Sequence, residues 1–568
     1  MKTIRTTLIT ALALTVLAHG TAAVAKAPSA QKSKTGTSFI VGAQTTAAAA
    51  QAVRAVGGRV LRELPIVDSV AAQLTAAQAA MLRQDTHVNL FADSSVQTQS
   101  MGAVPDVYQR AMIGVRELAA QGINGSGITV AVLDSGVYQT TGWTYTMRDL
   151  NGRNRMVAQY DAINNVLVDA THPCPKFPCV NDTDGHGTHI HSLIASSNTV
   201  SPAQNGEPRG IAPMVRLVNV KAFDGNGNGN YTNVLNGLNW IFNNRANYSI
   251  RVLNLSFGAK PQSFYWNDPI DKAVMKLWQA GVVVVTSAGN FGPKAQTISV
   301  PGNTPYVITV GAMTNNFTPN DPSDDGVTTF SSSGPTYEGF IKPDIVAPGG
   351  HLSAYMDLPT QRLPKSYPQF TTAEYDMFQM SGTSQAAAVT SGVVALMLQA
   401  NPSLTPDQVK CRLMASADSA VGRNGKAAYT VFQQGAGRVN AYAAVYSQAA
   451  NCANQGLNIA NDIAGTAHYG GPAHQEAGNG AFYVADSNGN HLSSDGYLWN
   501  QQYSKNQGYL WNNGYLWNQG IVWNNGFLWN QGYLWNNGYL WNNGFLWNQS
   551  SVAPASTSMT MESWNNQE

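Results

Sequence analysis

The central part of this chain predicts an α/β fold built on a doubly wound, mostly parallel sheet. The first observation is a set of Val-rich apolar runs at residues 128–133, 215–222, 251–255, 282–286 and 306–310. They lack the polar–apolar alternation of a strand with one wet face, so they suit strands covered on both faces. The second is that helical patterns lie between and after them, near 233–243, 271–280 and 384–399. Strands alternating with helices are the mark of such a sheet. The third is positional: ligands of these sheets bind beyond the carboxyl ends of the strands, and Asp134 closes the run 128–133.

The first residues read as an export signal. Lys2 and Arg5 precede an apolar run from about Leu8 to Ala18, and Ala23-Val24-Ala25 offers a small-x-small cleavage site. Residues 1–25 are therefore expected to be removed, and their apolar run is too short to span a bilayer. No later stretch has about twenty unbroken apolar residues. The mature chain is thus expected to be secreted, without a transmembrane segment. At 568 residues it has room for several units, one with a large core. Its 33 Lys+Arg against 32 Asp+Glu argue against a nucleic-acid partner.

Residues 37–96 form the first folded unit. Runs at 38–42, 59–64, 69–74 and 88–91 read as strands, and 47–56 and 76–83 as helices, the first ended by Gly57-Gly58. The order β-α-β-β-α-β predicts a small α+β, ferredoxin-like domain.

Four cysteines fit an oxidising compartment: Cys174, Cys179, Cys411 and Cys452. Four allow three pairings. The favoured one joins Cys174 to Cys179 across a loop stiffened by two prolines, and Cys411 to Cys452 at the end of the central unit.

Three short segments within the central unit carry reactive side chains. They are Val132-Leu133-Asp134-Ser135-Gly136, Asp184-Gly185-His186-Gly187-Thr188-His189, and Ser381-Gly382-Thr383-Ser384-Gln385. Each alone is ordinary turn chemistry. Together they supply an Asp, a His and a Ser, the set that performs acyl transfer through a serine nucleophile. Asp134 ends a buried strand, where it can be aimed at an imidazole. Glycines flank His186 and leave room for a substrate. Ser384 opens a helical run, where free N–H groups favour a developing oxyanion.

These segments, in this order, resemble the subtilase (subtilisin-like, peptidase S8) family of serine proteases. Residues 330–335, 342–349 and 435–440 extend the resemblance, which spans roughly 105–450. It implies a catalytic domain there, with Asp134, His186 and Ser384 as the triad. Asn290, in Ala288-Gly289-Asn290-Phe291, resembles the family's side-chain oxyanion donor. Ser256 and Gly258 on one segment and Gly227 and Gly229 on another resemble the edges that sandwich an extended polypeptide substrate. Ser287 and Gly289 would form one wall of the P1 pocket. The unit at 37–96 looks like the family's propeptide, an intramolecular inhibitor cleaved somewhere between about 93 and 107. Catalysis requires no cofactor. Calcium often stabilises this family; Asp182, Asp184 and Asp224 are oxygen-rich candidates, but no loop spacing assigns a metal. His189 matches a second, structural histidine. Three positions depart from the family pattern: Ala388 stands in place of a proline, Val389 in place of a histidine, and His191 in place of a small residue.

The C-terminal part is a true repeat. Residues 453–495, rich in Gly, Ala and Asn, read as a linker, and 550–568 as a tail. Between them, over 496–549, Gly-aromatic-Leu-Trp-Asn-(Asn/Gln) recurs every six residues: Trp499, a degenerate copy, then Trp511, Trp517, Trp523, Trp529, Trp535, Trp541 and Trp547. This hexapeptide could wind a small β-solenoid, stay open until it meets a polysaccharide or cell-surface partner, or be removed. The chain is therefore expected to be a secreted serine endopeptidase made as a self-processed precursor. The alternative is a catalytically impaired adhesin or binding protein that acts through the Trp-rich repeat.

Overall fold

A computed structural model describes residues 37–98, 109–138, 148–174, 179–199, 207–316, 318, 324–372, 376–420, 428–476, 480–485, 491–492, 521–524 and 527–530. The expected signal region 1–25, the tail 550–568 and most of the repeat lie outside these residues.

The N-terminal unit is a four-stranded antiparallel sheet of β1 (Thr37–Gly42), β2 (Arg59–Leu64), β3 (Ser69–Leu74) and β4 (Asn89–Ala92) in the order β2-β3-β1-β4. With helices Thr46–Ala55 and Ala76–Leu82 this is the expected β-α-β-β-α-β topology. Local sequence sets the helix ends. Thr45 accepts from the Ala48 N–H, and Thr75 and Gln78 form a capping box. Alternate residues of the strands serve two cores. Val41, Val70, Ala72 and Leu74 pack with Ala49, Val53 and Leu82 of the unit's own helices. Ile40, Leu64 and Ala71 join the core of the central unit, as does Ile66 in the turn after β2. A short strand, β5 (Ser95–Thr98), follows.

The central unit contains β6 (Thr129–Asp134), β7 (Met156–Asp161), β8 (Val166–Asp169), β9 (Arg216–Lys221), β10 (Asn228–Asn230), β11 (Ile250–Leu255), β12 (Phe257–Gly258), β13 (Val283–Ser287), β14 (Ile308–Thr314), β15 (Gly326–Val327) and β16 (Ile345–Pro348). Its main sheet runs β15-β14-β13-β11-β6-β9-β7-β8, with β16 also on β14. Pairing is parallel except for β7 with β8 and β14 with β15. The five apolar runs of the sequence are β6, β9, β11, β13 and β14. β6 and β13 are buried at every position, as strands covered on both faces must be. Helices His186–Ala195 and Thr383–Ala400 pack against each other and the sheet; Tyr231–Asn244 and Pro269–Gln279 form a second pair. Residues 383–398 are buried on every side, so that helix runs through the core rather than over it.

The segment read as a linker is folded through residue 476. Helix Ile459–Ile463 brings Asp462 into the core, where it accepts from Tyr265 Oη at 2.6 Å, Tyr306 Oη at 3.0 Å and His468 Nδ1 at 2.7 Å. The His468 ring stacks on Trp266 at 4.8 Å. A Gly/Ala/Asn-rich composition hid this because the few groups that anchor the segment bind partners about 150–200 positions away. Within the repeat, strands Ile521–Asn524 and Phe527–Asn530 pair antiparallel, with Asn524 opposite Phe527. A solenoid would stack its strands in parallel. The intervening sequence is Asn525-Gly526, the pair most favoured in two-residue hairpins.

Cys174 is bonded to Cys179, and Cys411 to Cys452. Among the described residues no helix is long and apolar enough to cross a membrane.

Candidate active site

Asp134 is the last residue of β6 and is wholly buried. Its Oδ1 accepts from the Ser135 N–H at 2.7 Å and from His186 Nδ1 at 2.7 Å. An ionised carboxylate can only accept, so the imidazole proton sits on Nδ1 and Nε2 is left as an acceptor. Such an arrangement suits a general base. The close approach depends on two glycines. Gly136 has φ +120°, and a Cβ at Gly187 would lie 2.2 Å from the Gly136 carbonyl and 3.1 Å from Asp134 Oδ1.

His186 is the first residue of its helix, and two acidic side chains hold that turn. Asp182 accepts from the N–H groups of Asp184, Gly185 and Thr188 and from Thr188 Oγ1. Asp184 Oδ2 accepts from the His186 N–H at 3.2 Å, and its Oδ1 accepts from Arg362 Nε at 2.8 Å. Burial pushes the His186 pKa down, but the charge of Asp134 and its hydrogen bond, with the fields of Asp184 and Asp182, raise it overall. Burial and the neighbouring Asp182 charge push Asp184 up to about 6, against the pull of Arg362 and His186.

Ser384 is the second residue of helix Thr383–Ala400 and is buried. Its Oγ donates to the Ser256 carbonyl at 3.0 Å, and His186 Nε2 has no hydrogen-bond partner among the described residues. The structure therefore joins Asp134 to His186 by a hydrogen bond but does not join His186 to Ser384. Such bonds commonly form only when substrate is engaged. Ser256 is bonded to Ser384 in both directions. Its hydroxyl accepts from Asn254 Nδ2 at 2.8 Å and donates to the Ser384 carbonyl at 2.9 Å, while Asn254 Oδ1 accepts from Ser391 Oγ.

Asn290 follows β13. Its Oδ1 accepts from the Thr383 N–H at 3.0 Å and from Thr383 Oγ1 at 2.9 Å. Both bonds fix the oxygen end of the amide, which leaves Nδ2 as a donor beside the turn that carries Ser384. Gly289, at φ +112°, has no space for a Cβ, which would sit 2.7 Å from Ser332 Oγ and 2.8 Å from Ser299 Oγ. The Ser287 hydroxyl donates to the Phe257 carbonyl at 3.0 Å and so ties β13 to β12.

The two edges named from sequence flank one extended strand, and it belongs to this chain. β5 pairs antiparallel with β10 on one side, Gly229 opposite Val96, and with β12 on the other, Gly258 opposite Gln97. Gly227, at φ +73°, turns the chain into β10, and a Cβ at Gly229 would strike the Phe223 ring at 2.8 Å. The unit is also held elsewhere. Asp93 accepts from Thr232 N–H at 2.9 Å, and Lys276 pairs with Asp68 at 3.1 Å.

The remaining expected residues have separate roles. His189 Nε2 lies 3.1 Å from both the Leu352 and Phe378 carbonyls, and burial pushes its pKa down to about 3. His191 donates from Nδ1 to the Gly187 carbonyl at 2.7 Å, and burial lowers its pKa too. Ala388 and Val389 are wholly buried within their helix. Of the calcium candidates, Asp182 and Asp184 are engaged by the protein donors above, and Asp224 accepts from the N–H groups of Asn226 and Asn228. Sequence reading missed Thr383, Asn254 and Arg362. Only Thr383 had a signal, as the residue between Gly382 and Ser384.

Comparison with known proteins matches residues 125–437 to the subtilase family. The chain is 37% identical over 299 residues to the serine protease AprX of Bacillus subtilis (strain 168), which covers 51% of this chain and 61% of AprX. It is 30% identical over 312 residues to subtilisin of Bacillus pumilus, covering 55% and 90%. It is 29% identical over 399 residues to subtilisin E of Bacillus subtilis (strain 168), covering 69% and 88%. In fold it is similar to fervidolysin from Fervidobacterium pennivorans, a keratinolytic enzyme related to subtilisin. The TM-score is 0.56 at 22% identity, over 81% of this chain and 65% of fervidolysin. The match thus leaves more than a third of the AprX sequence uncovered.

Proposed function

The chain belongs to the subtilase family, and from that premise we propose that it is a serine endopeptidase acting through Asp134, His186 and Ser384. The observation that carries the reading is the 2.7 Å contact between Asp134 and His186 Nδ1, which presents Nε2 as a base. In the proposed cycle His186 Nε2 takes the Ser384 proton as Oγ attacks the substrate carbonyl. The oxyanion receives the Ser384 backbone N–H and Asn290 Nδ2. Asp134 stabilises the imidazolium, which then gives its proton to the leaving amine. Water releases the acyl group by the reverse proton path. Side chains and backbone supply every step, so no cofactor enters. Substrate would lie as an added strand between β10 and β12.

We further propose that residues 37–98 are an inhibitory propeptide. Support comes from β5, which occupies the position of that strand. Export through residues 1–25, self-cleavage after β5, and a polysaccharide or cell-surface partner for the Trp-rich repeat complete the reading. Substitution Ser384→Ala tests it. Loss of propeptide cleavage, casein hydrolysis and fluorophosphonate labelling is expected; a variant that still processes itself and digests casein as the wild type does would rule the mechanism out.

A further inference from the structure

Residues 356–363 form a strap pinned along the turn that carries His186. The Arg362 N–H donates to the Thr183 carbonyl at 2.9 Å, and the Leu363 N–H to the Asp184 carbonyl at 3.0 Å. Gln361, wholly buried, donates from Nε2 to Thr188 Oγ1 at 2.9 Å and to the Asp182 carbonyl at 3.1 Å. Gly185, at φ +115°, has no room on the strap side, where a Cβ would meet Met356 Sδ at 3.0 Å. The Arg362 side chain crosses to Asp184, whose carboxylate is fully buried.

We propose that Arg362 is a positioning residue for the catalytic histidine, acting through Asp184. The chain of contacts is short. The guanidinium grips Asp184 Oδ1, and Asp184 Oδ2 holds the His186 N–H. His186 starts its helix, so its N–H has no partner within that helix, and a side-chain acceptor must supply one. A buried carboxylate without its cation would turn neutral and lose that fixed orientation. The strap thereby couples a segment about 178 positions downstream to the angle of the imidazole. Asp184 also contributes negative field at the ring. The charged groups facing the pair are Asp134, Asp182 and His186, with the buried rings of His189 and His191 on the same helix. This inference rests on the serine-protease reading above.

The test uses the purified full chain after self-processing and a chromogenic peptide. Arg362→Met is expected to lower kcat about 10- to 100-fold with KM changed less than about twofold, because displacing a reacting group by about 1 Å has an effect of that size. Arg362→Lys should restore most of the loss. Asp184→Asn keeps an acceptor for the His186 N–H but removes the charge, so the acid limb of kcat/KM should move to lower pH. A folded Arg362→Met enzyme with unchanged kcat would overturn the proposal. So would equal losses in the Lys and Met variants accompanied by equal falls in Tm. If Arg362→Met does not fold, an unmoved acid limb in Asp184→Asn would overturn it. Wild-type turnover separates the two levels. Without Ser384-dependent turnover the functional reading fails, whereas with it, unaffected Arg362 variants remove only this inference.

Discussion

Thr383 donates both its backbone N–H and its hydroxyl to the single oxygen Asn290 Oδ1, at 3.0 and 2.9 Å. The residue before Ser384 thus orients the amide that would receive the oxyanion in the proposed cycle. Two variants separate the donor from its support. Asn290→Leu removes the donor, and the loss known for an equivalent side-chain donor in subtilisin is about 10²–10³ in kcat. Thr383→Val removes one of two supporting bonds of about 0.5–1.5 kcal/mol, so kcat should fall only about 2- to 12-fold. Steady-state kinetics on one peptide substrate checks both, and a Thr383→Val loss as large as that of Asn290→Leu would contradict this division of labour.

The pH profile follows from His186. The ring must be neutral to take the serine proton, and its pKa is raised from the ordinary 6.5. Protonation therefore sets in at higher pH than for a free imidazole, and kcat/KM should rise through a midpoint above 6.5. A midpoint at or below 6.5 would mean that Asp134 does not dominate the ring.

The parts legible in sequence were those fixed by local pattern. Val-rich runs marked β6, β9, β11, β13 and β14, and Gly57-Gly58 marked the end of the first helix. Asp134, His186, Ser384 and Asn290 each stand at the end of a strand or the start of a helix, where a short motif carries them. What stayed hidden depends on distant partners. Arg362 meets Asp184, Asn254 meets Ser391, and Asp462 meets Tyr265 and Tyr306. No spacing rule relates such pairs, because folding and not the chain brings them together. β7 escaped notice because Gln159, Tyr160 and Asp161 interrupt its apolar run, and β8 because it is only four residues long.

Asp93 is expected to govern release of the N-terminal unit. It accepts from the Thr232 N–H, an unpaired donor in the first turn of helix Tyr231–Asn244, and from Thr232 Oγ1. Losing a side-chain cap of this kind costs about 0.5–2 kcal/mol. Asp93→Ala should therefore shorten the lag before activity appears when the full chain is allowed to process itself. A lag equal to or longer than that of the wild type would show that this contact does not hold the inhibitory unit in place.

Lys342 predicts a stability change on the alkaline side. It is wholly buried with Lys410, and both reach Asp344, at 2.7 and 3.1 Å, so one carboxylate faces two ammonium groups. Burial lowers the Lys342 pKa from 10.5 to about 7; the Asp344 charge opposes the shift and Lys410 adds to it. Between those values the unfolded chain binds a proton that the folded chain releases, so folding gains stability as pH rises from about 7 to 10.5. Below pH 7 both states carry the proton and the gain is absent. Lys342→Met removes the titration, and Lys410 remains to pair with Asp344. Urea unfolding of the wild type and this variant should therefore give a difference in stability that grows in favour of the wild type from pH 7 to pH 10. Parallel pH dependences in the two proteins would place the neutral amine elsewhere.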